Sequence, residues 1–328
     1  MEQKKFDVNS FIGMILLGGI IFWWMSTQEP EVDATTNTTT TSKVADAPET
    51  INNTVTAAAF ENDSLKQINL QNKLGAFAQS AISASEGVSV LENEVVKLTI
   101  DNKGGQIKSA LIKNFKTYDS LPLYMIKDNN ASFNINFGTT DNRILNTKNL
   151  FFQPTITKNG DNQVVSMKLK VSETQFLEYR YEMKPKDYMV NFSVRSQGLS
   201  NVINASNPIN LDWSLDGFRH EKSLKTENSM YSYYYFKSEE EVDYLNAGNS
   251  DVINDVDWVA YKQHFFSSSL LTDTPFNNAT VTSTDLVLNE EIDTVFTKRY
   301  ELKTPLELSN GELNYNMKWF YGPSDYNL

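Results

Sequence analysis

The chain has no cysteine in 328 residues, which excludes disulfides, thiolate metal sites, a cysteine nucleophile and the acylated cysteine of a bacterial lipoprotein. Its two histidines leave little for a zinc site, and no metal or cofactor is expected. The lack of cysteine does not choose a redox compartment; an oxidising one is permitted but not demanded. Positive charge is also scarce. Lys+Arg number 29 against 41 Asp+Glu, a net −12, the reverse of what a phosphate backbone attracts, so nucleic acid is not an expected partner. Beyond residue 26 no uninterrupted apolar run reaches eighteen residues, which leaves one place for a membrane-crossing helix.

That place is the amino end. Val8 to Ser26 reads VNSFIGMILLGGIIFWWMS, nineteen residues without charge, and at 1.5 Å per residue such a helix reaches about 28 Å, close to the ~30 Å hydrocarbon layer. Phe11, Ile12, Met14, Ile15, Leu16, Leu17, Ile20, Ile21, Phe22, Trp23 and Trp24 supply the apolar surface that a lipid bilayer would take. A cleaved signal peptide would have a shorter apolar region and small residues at its end. Here the run ends in two tryptophans and then Gln28-Glu29-Pro30, so residues 1–26 read as an uncleaved signal-anchor. Lys4 and Lys5 precede it while Glu29, Glu31 and Asp33 follow. The positive-inside tendency therefore keeps the amino terminus in the cytoplasm and places everything after about residue 27 outside.

Residues 27–63 contain seven acids and one lysine, half of the chain's excess negative charge, with a threonine run, Pro30 and Pro48. This composition offers too little apolar surface to offset chain entropy and predicts a flexible tether. Residues 64–87 predict a short amphipathic helix and lead-in: Leu65, Ile68, Leu74, Phe77, Ala78, Ala81 and Ile82 approximate helical spacing, Ser64 is placed to cap it, and Gly75 weakens it.

From residue 88 the hydrophobic period becomes two. Val96, Leu98 and Ile100 alternate with polar residues, as do Phe133, Ile135 and Phe137; Val165 to Val171; Leu177 to Met183; Val190 to Val194; Ile209 to Leu215; and Leu313 to Tyr321. Each reads as a half-buried strand. Asp101-Asn102-Lys103-Gly104-Gly105, Lys158-Asn159-Gly160-Asp161-Asn162, Lys184-Pro185-Lys186-Asp187 and Asn207-Pro208 lie between them as turns. The fold class is mainly β, with residues 88–328 forming one large antiparallel β-sandwich of two curved sheets and few short helices.

Individual side chains add little chemistry. His220, between Arg219 and Glu221, could serve as an acid/base group but reads better as a surface-loop histidine among solvated charges. His264 reads as a packed or half-exposed strand residue. The run Tyr231-Ser232-Tyr233-Tyr234-Tyr235-Phe236 could line a cleft, though packing of the core and rim of a curved sheet explains it more simply. Glu239-Glu240-Glu241 reads as an acidic loop, and Asp251, Asp255 and Asp257 lack the Gly and distal Glu of a calcium loop.

Four segments together carry a resemblance. They are MEQKKFDVNSFIGMILLGGIIFWW at the amino end, LENEVVKLTIDNKGGQIKSALIKNFKTYDSLPLYMI at 91–126, Asp257-Trp258-Val259-Ala260-Tyr261-Lys262-Gln263-His264-Phe265-Phe266, and the closing NMKWFYGPSDYNL. In order and spacing the chain resembles the amino-terminal part of a YidC-type membrane protein insertase of the Bacteroidetes branch. The resemblance implies a first transmembrane helix and a periplasmic domain like the galactose-mutarotase β-supersandwich. Five further transmembrane helices, with a polar insertion groove, would follow the Gly322-Pro323-Ser324-Asp325-Tyr326 stretch. It also implies nascent inner-membrane proteins and Sec translocon components as partners, residence in the bacterial inner membrane, a scaffold or docking role without the groove, and no enzymatic activity. A tethered carbohydrate-binding or sugar-epimerase-like sandwich is the alternative, suggested by fold analogy alone.

Overall fold

The computed structural model describes residues 54–83 and 85–324, with side chains from residue 64 onward. The expected signal-anchor at 1–26, most of the tether and Asp325-Tyr326 lie outside the described residues. Among the described residues no helix is long and apolar enough to cross a membrane.

Helix α1 (Thr54–Leu74) begins ten residues before Ser64, so that Ser64 lies inside it rather than capping it. It stops at Gly75, where φ turns to +57°, a left-handed conformation that glycine adopts without strain. A 3₁₀ turn over Gly75–Phe77 and the short α2 (Ala78–Ile82) follow. The apolar stripe is only half used. Leu74, Phe77 and Ala78 are buried, with Phe77 edge-on to Phe137 at 5.6 Å, while Leu65 and Ile68 remain exposed.

Alternation then builds three antiparallel sheets. A four-stranded sheet runs β1 (Val88–Glu92), β2 (Val96–Asp101), β3 (Ile107–Lys116), β4 (Pro122–Ile126). A six-stranded sheet contains β5 (Ala131–Gly138) and β6 (Ile144–Asn146) at one edge, then β11 (Ile209–Phe218), β18 (Phe296–Leu306), β17 (Ala279–Asp285) and β14 (Asn249–Ile253). The nine-stranded sheet runs from β7 (Gln153–Asn159), β8 (Asn162–Lys170), β9 (Phe176–Met183) and β10 (Met189–Gln197) to β19 (Asn314–Pro323), β16 (Phe266–Phe276), β15 (Val256–Gln263), β12 (Ser232–Ser238) and β13 (Glu241–Leu245). All seven alternating segments read from the sequence are strands, and Gly104, Gly105 and Gly160 take positive φ in the expected turns.

The core is aromatic and lies between the nine- and six-stranded sheets. Trp213 of β11 stacks on Tyr261 of β15 at 3.9 Å and meets Trp319 of β19 edge-on at 4.9 Å. Phe133 of β5 packs edge-on against Trp319 and Phe192, and Tyr300 of β18 stacks on Tyr261 at 5.0 Å. Two buried hydroxyls are tied to the backbone: Tyr261 donates to the Trp213 carbonyl and Tyr181 to the Gly105 carbonyl. Burial raises the pKa of Tyr181 and Tyr261 well above the usual range, so these phenols stay neutral donors.

Candidate functional site

The polar side chains of interest gather at one end of the sandwich, where β11 runs out, β18 begins and the β3–β4 connection crosses. A bulge shifts the β11–β18 register between Asp216 and Phe218. Past it, His220 faces inward and is 3% exposed. This corrects the surface-loop expectation. The charges flanking it in sequence leave in other directions: the Arg219 guanidinium sits 4.8 Å from the Tyr118 ring, and the Glu221 carboxylate lies 3.4 Å from His264 Nδ1. The imidazole packs edge-on to Phe266. Its Nε2 lies 3.1 Å from the Tyr124 carbonyl, which can only accept, so Nε2 carries the proton and donates. Burial outweighs that bond and pushes the imidazole pKa down to about 4.

An acid/base pair would need a carboxylate on the ring, and Glu227 is the acid nearest in sequence that is fully buried. Glu227 opens a π-helical turn (Glu227–Tyr231) that follows a helical turn at Leu224–Thr226. Its two oxygens accept the backbone N–H groups of His220 and Glu221 at 3.1 Å. Burial raises its pKa, and those backbone donors oppose the rise. Beside it Lys298, also buried, donates to the carbonyl and Oδ1 of Asn228, whose amide donates to Asp285 at 2.9 Å. Burial pushes the Lys298 ammonium pKa down while Asp285 resists. The carboxylate is spent on closing the 219–231 segment on itself and the ammonium on holding that segment to β18. That is clamping chemistry, with a neutral imidazole and no carboxylate aimed at it.

Outside the clamp, a cavity of about 580 Å³ opens between the β3–β4 connection and the β17–β18 loop, walled by Tyr118, Leu121, Tyr124, Phe218, Arg219 and Val295, with His220 beside them. His264 occupies the turn between β15 and β16 with φ +50°, rather than a strand, and its ring stacks on Tyr231 at 4.1 Å and on Phe265 at 3.6 Å. Within the tyrosine run, Tyr234 and Phe236 point into the core while Tyr233 and Tyr235 lie on the outer face against Tyr244, as packing of a curved sheet requires. Glu239 and Glu240 form an exposed turn with positive φ. Asp257 is not grouped with the other aspartates but pairs with Lys237 at 3.0 Å. Glu227 and Lys298 escaped the sequence reading because ENSMY and FTKRY have the composition of solvated segments, and only the tertiary fold turns them inward.

Comparison with known proteins places these features. The family described as YidC periplasmic domain matches residues 89–328. The "Membrane protein insertase YidC" of Parabacteroides distasonis is 29% identical over 338 residues, covering 98% of this chain and 52% of that protein. That of Porphyromonas gingivalis is 30% identical over 339 residues with the same coverage. The chain thus spans about half the length of these relatives. Among solved structures, a putative aldose 1-epimerase from Escherichia coli K12 aligns over 72% of this chain at 9% identity and a TM-score of 0.42. A galactose mutarotase-like protein from Lactobacillus casei aligns over 72% at 12% identity and 0.43. With a matched segment that takes in every strand but the first residue of β1, the chain belongs to the YidC family of membrane protein insertases, through that family's periplasmic domain.

Proposed function

We propose that this chain is the membrane-tethered, periplasm-facing part of an insertase that inserts and helps fold inner-membrane proteins, alone or beside the Sec translocon. The observation that carries the reading is the match of the YidC periplasmic domain to residues 89–328. The anchor reading draws on the sequence: an uncharged apolar stretch at 8–26 with Lys4 and Lys5 before it and acids after it. The sandwich is then a scaffold held outside the inner membrane, where partners and emerging periplasmic loops of nascent proteins dock. Residues 27–53 act as its spacer. The clamp fits this role better than catalysis does, because His220 is a neutral, buried ring with no carboxylate facing it and Glu227 is committed to backbone donors. The same geometry disfavours the sugar-epimerase alternative, which needs a histidine and a carboxylate converging on one cleft.

The topology is tested with protease added to spheroplasts. Residues 27–328 should be degraded while a membrane-retained amino-terminal stub survives. A soluble mature form beginning near residue 27 contradicts the uncleaved anchor.

A further inference from the structure

Both ends of the sandwich expose apolar side chains, Val242 and Val252 among them at one, but the two ends differ in charge. At one end, where β12 turns into β13 and β15 begins, Glu239, Glu240, Glu241 and Asp255 are exposed, and Lys237 bridges Glu240 at 3.1 Å and Asp257 at 3.0 Å. At the other end, around the clamp, large apolar side chains stand in solvent. Met230, Phe265 and Leu121 are each 58% exposed, Leu288 89% and Ile292 73%. A contiguous exposed apolar patch is rarely left without a partner on a soluble surface.

These tips are held, not dangling. The π-helical turn that carries Met230 and Tyr231 is fixed by the Glu227 and Lys298 contacts, Phe265 is stacked on His264, and Phe115 packs edge-on to Phe266 at 5.1 Å. Lys222 and Lys225 stand exposed on the same segment, with Lys116 exposed on the β3–β4 side. Acids at this end are mostly engaged: Glu221 faces His264, Asp119 accepts from Thr117, and Asp293 accepts the N–H groups of Leu288 and Asn289. Asp119, Asp128, Glu290 and Glu291 are exposed there as well. Past β19 the Ser324 N–H donates to the Phe265 carbonyl at 2.6 Å at this end.

We propose that this end rests on the outer surface of the lipid bilayer, Met230, Phe265 and Leu121 seated among the headgroups with Lys222 and Lys225 at lipid phosphates. Amphipathic surfaces bind the interface in this way, through apolar tips flanked by lysines. The acidic end is repelled by anionic lipids and points away, which fixes the orientation. The proposal rests on the membrane-tethered reading above, and it adds a second contact: the sandwich lies down on the membrane instead of swinging on its tether.

The absence of native cysteine makes the test direct, since any introduced thiol is unique. Residues 1–328 carrying Met230→Cys, Phe265→Cys or, at the acidic end, Val252→Cys are labelled with an environment-sensitive fluorophore and reconstituted into phosphatidylethanolamine–phosphatidylglycerol vesicles, with or without brominated acyl chains. Probes at 230 and 265 should shift to the blue and be quenched several-fold more than the probe at 252. A Leu121→Cys probe should lose its quenching when Met230→Asp and Phe265→Asp are added, with an unchanged circular dichroism spectrum showing that the fold survives. Equal, weak quenching at all positions overturns the proposal, as does protection of 230 and 265 only when a protein partner is added. Alkaline extraction of the same vesicles reports separately on the anchor: release of the chain refutes the tether whatever the quenching shows.

Discussion

At the scale of single residues, His220 is the position where local sequence and tertiary structure disagree most. Between Arg219 and Glu221 it has the company of a surface residue, and by strand parity it would share the outward face of β11 with Asn210, Asp212 and Ser214. Alternation holds through Phe218, where β11 ends, and the chain then leaves the strand so that His220, two residues on, turns its ring inward. Strand parity says nothing about a residue past the strand's end, so the inward turn was not legible. Its consequence is measurable. The folded-state pKa of about 4 lies below the 6.5 usual for a histidine, so the folded protein resists protonation and the unfolded chain binds the proton more readily. Stability from this group is therefore fully present above about pH 6.5 and lost as pH falls toward 4, by up to about 3 kcal/mol. Comparing urea melts of the wild type and His220→Ala across that window should show a shallower acid limb in the variant. At pH 7.5 the variant should be less stable by about 1 to 3 kcal/mol, since the Tyr124 carbonyl loses its donor. Identical pH dependence in both proteins would place the ring in solvent after all.

At the scale of elements, alternation was a guide where apolar side chains fill the buried face, as in Val190, Phe192 and Val194 of β10, and it missed β17 and β18, whose buried faces include Ser283, Thr297 and Thr304. It was silent for the outer strands. β7 is exposed at nearly every position, and β13 and β14 bury at most one residue each, so their side chains carry no two-residue period to read. The amino-terminal helix shows the same limit from the other side. Its spacing suggested one continuous apolar face, but Gly75 redirects the chain and only the part around it docks on the sandwich. Phe77→Ala should accordingly cost about 3 to 5 kcal/mol as a cavity in packed surroundings. Leu65→Ala, at 59% exposure, should stay within about 0.5 kcal/mol. Guanidinium melts of the two variants separate a docked segment from a solvated one, and equal effects would contradict the half-docked helix.

At the scale of the whole molecule, the six- and nine-stranded sheets meet across the rings of Trp213, Tyr261 and Trp319, with Phe133, Phe192 and Tyr300 packed around them. Trp213→Ala and Trp319→Ala should each destabilise the sandwich by about 3 to 5 kcal/mol in thermal or denaturant unfolding, since both rings are 2% exposed. A loss below 1 kcal/mol in either would mean that the sheets are held together elsewhere. The candidate site was less legible than the fold because its parts come from distant stretches of chain. Glu227, Asp285 and Lys298 meet only after the 219–231 segment folds onto β17 and β18.

The central proposal is that residues 1–328 supply a membrane-anchored periplasmic scaffold of an insertase, while the path by which clients enter the bilayer is built by other segments. Such a path must shelter polar groups from hydrocarbon, where a lone charge costs several kcal/mol, and the stretch Phe11–Trp24 has no polar stripe with which to line one. The decisive measurement is growth and insertion of a short test client in a strain depleted of its own YidC and supplied with residues 1–328 alone. The account predicts that the fragment reaches the inner membrane yet restores neither growth nor insertion. Restored insertion by residues 1–328 would contradict it.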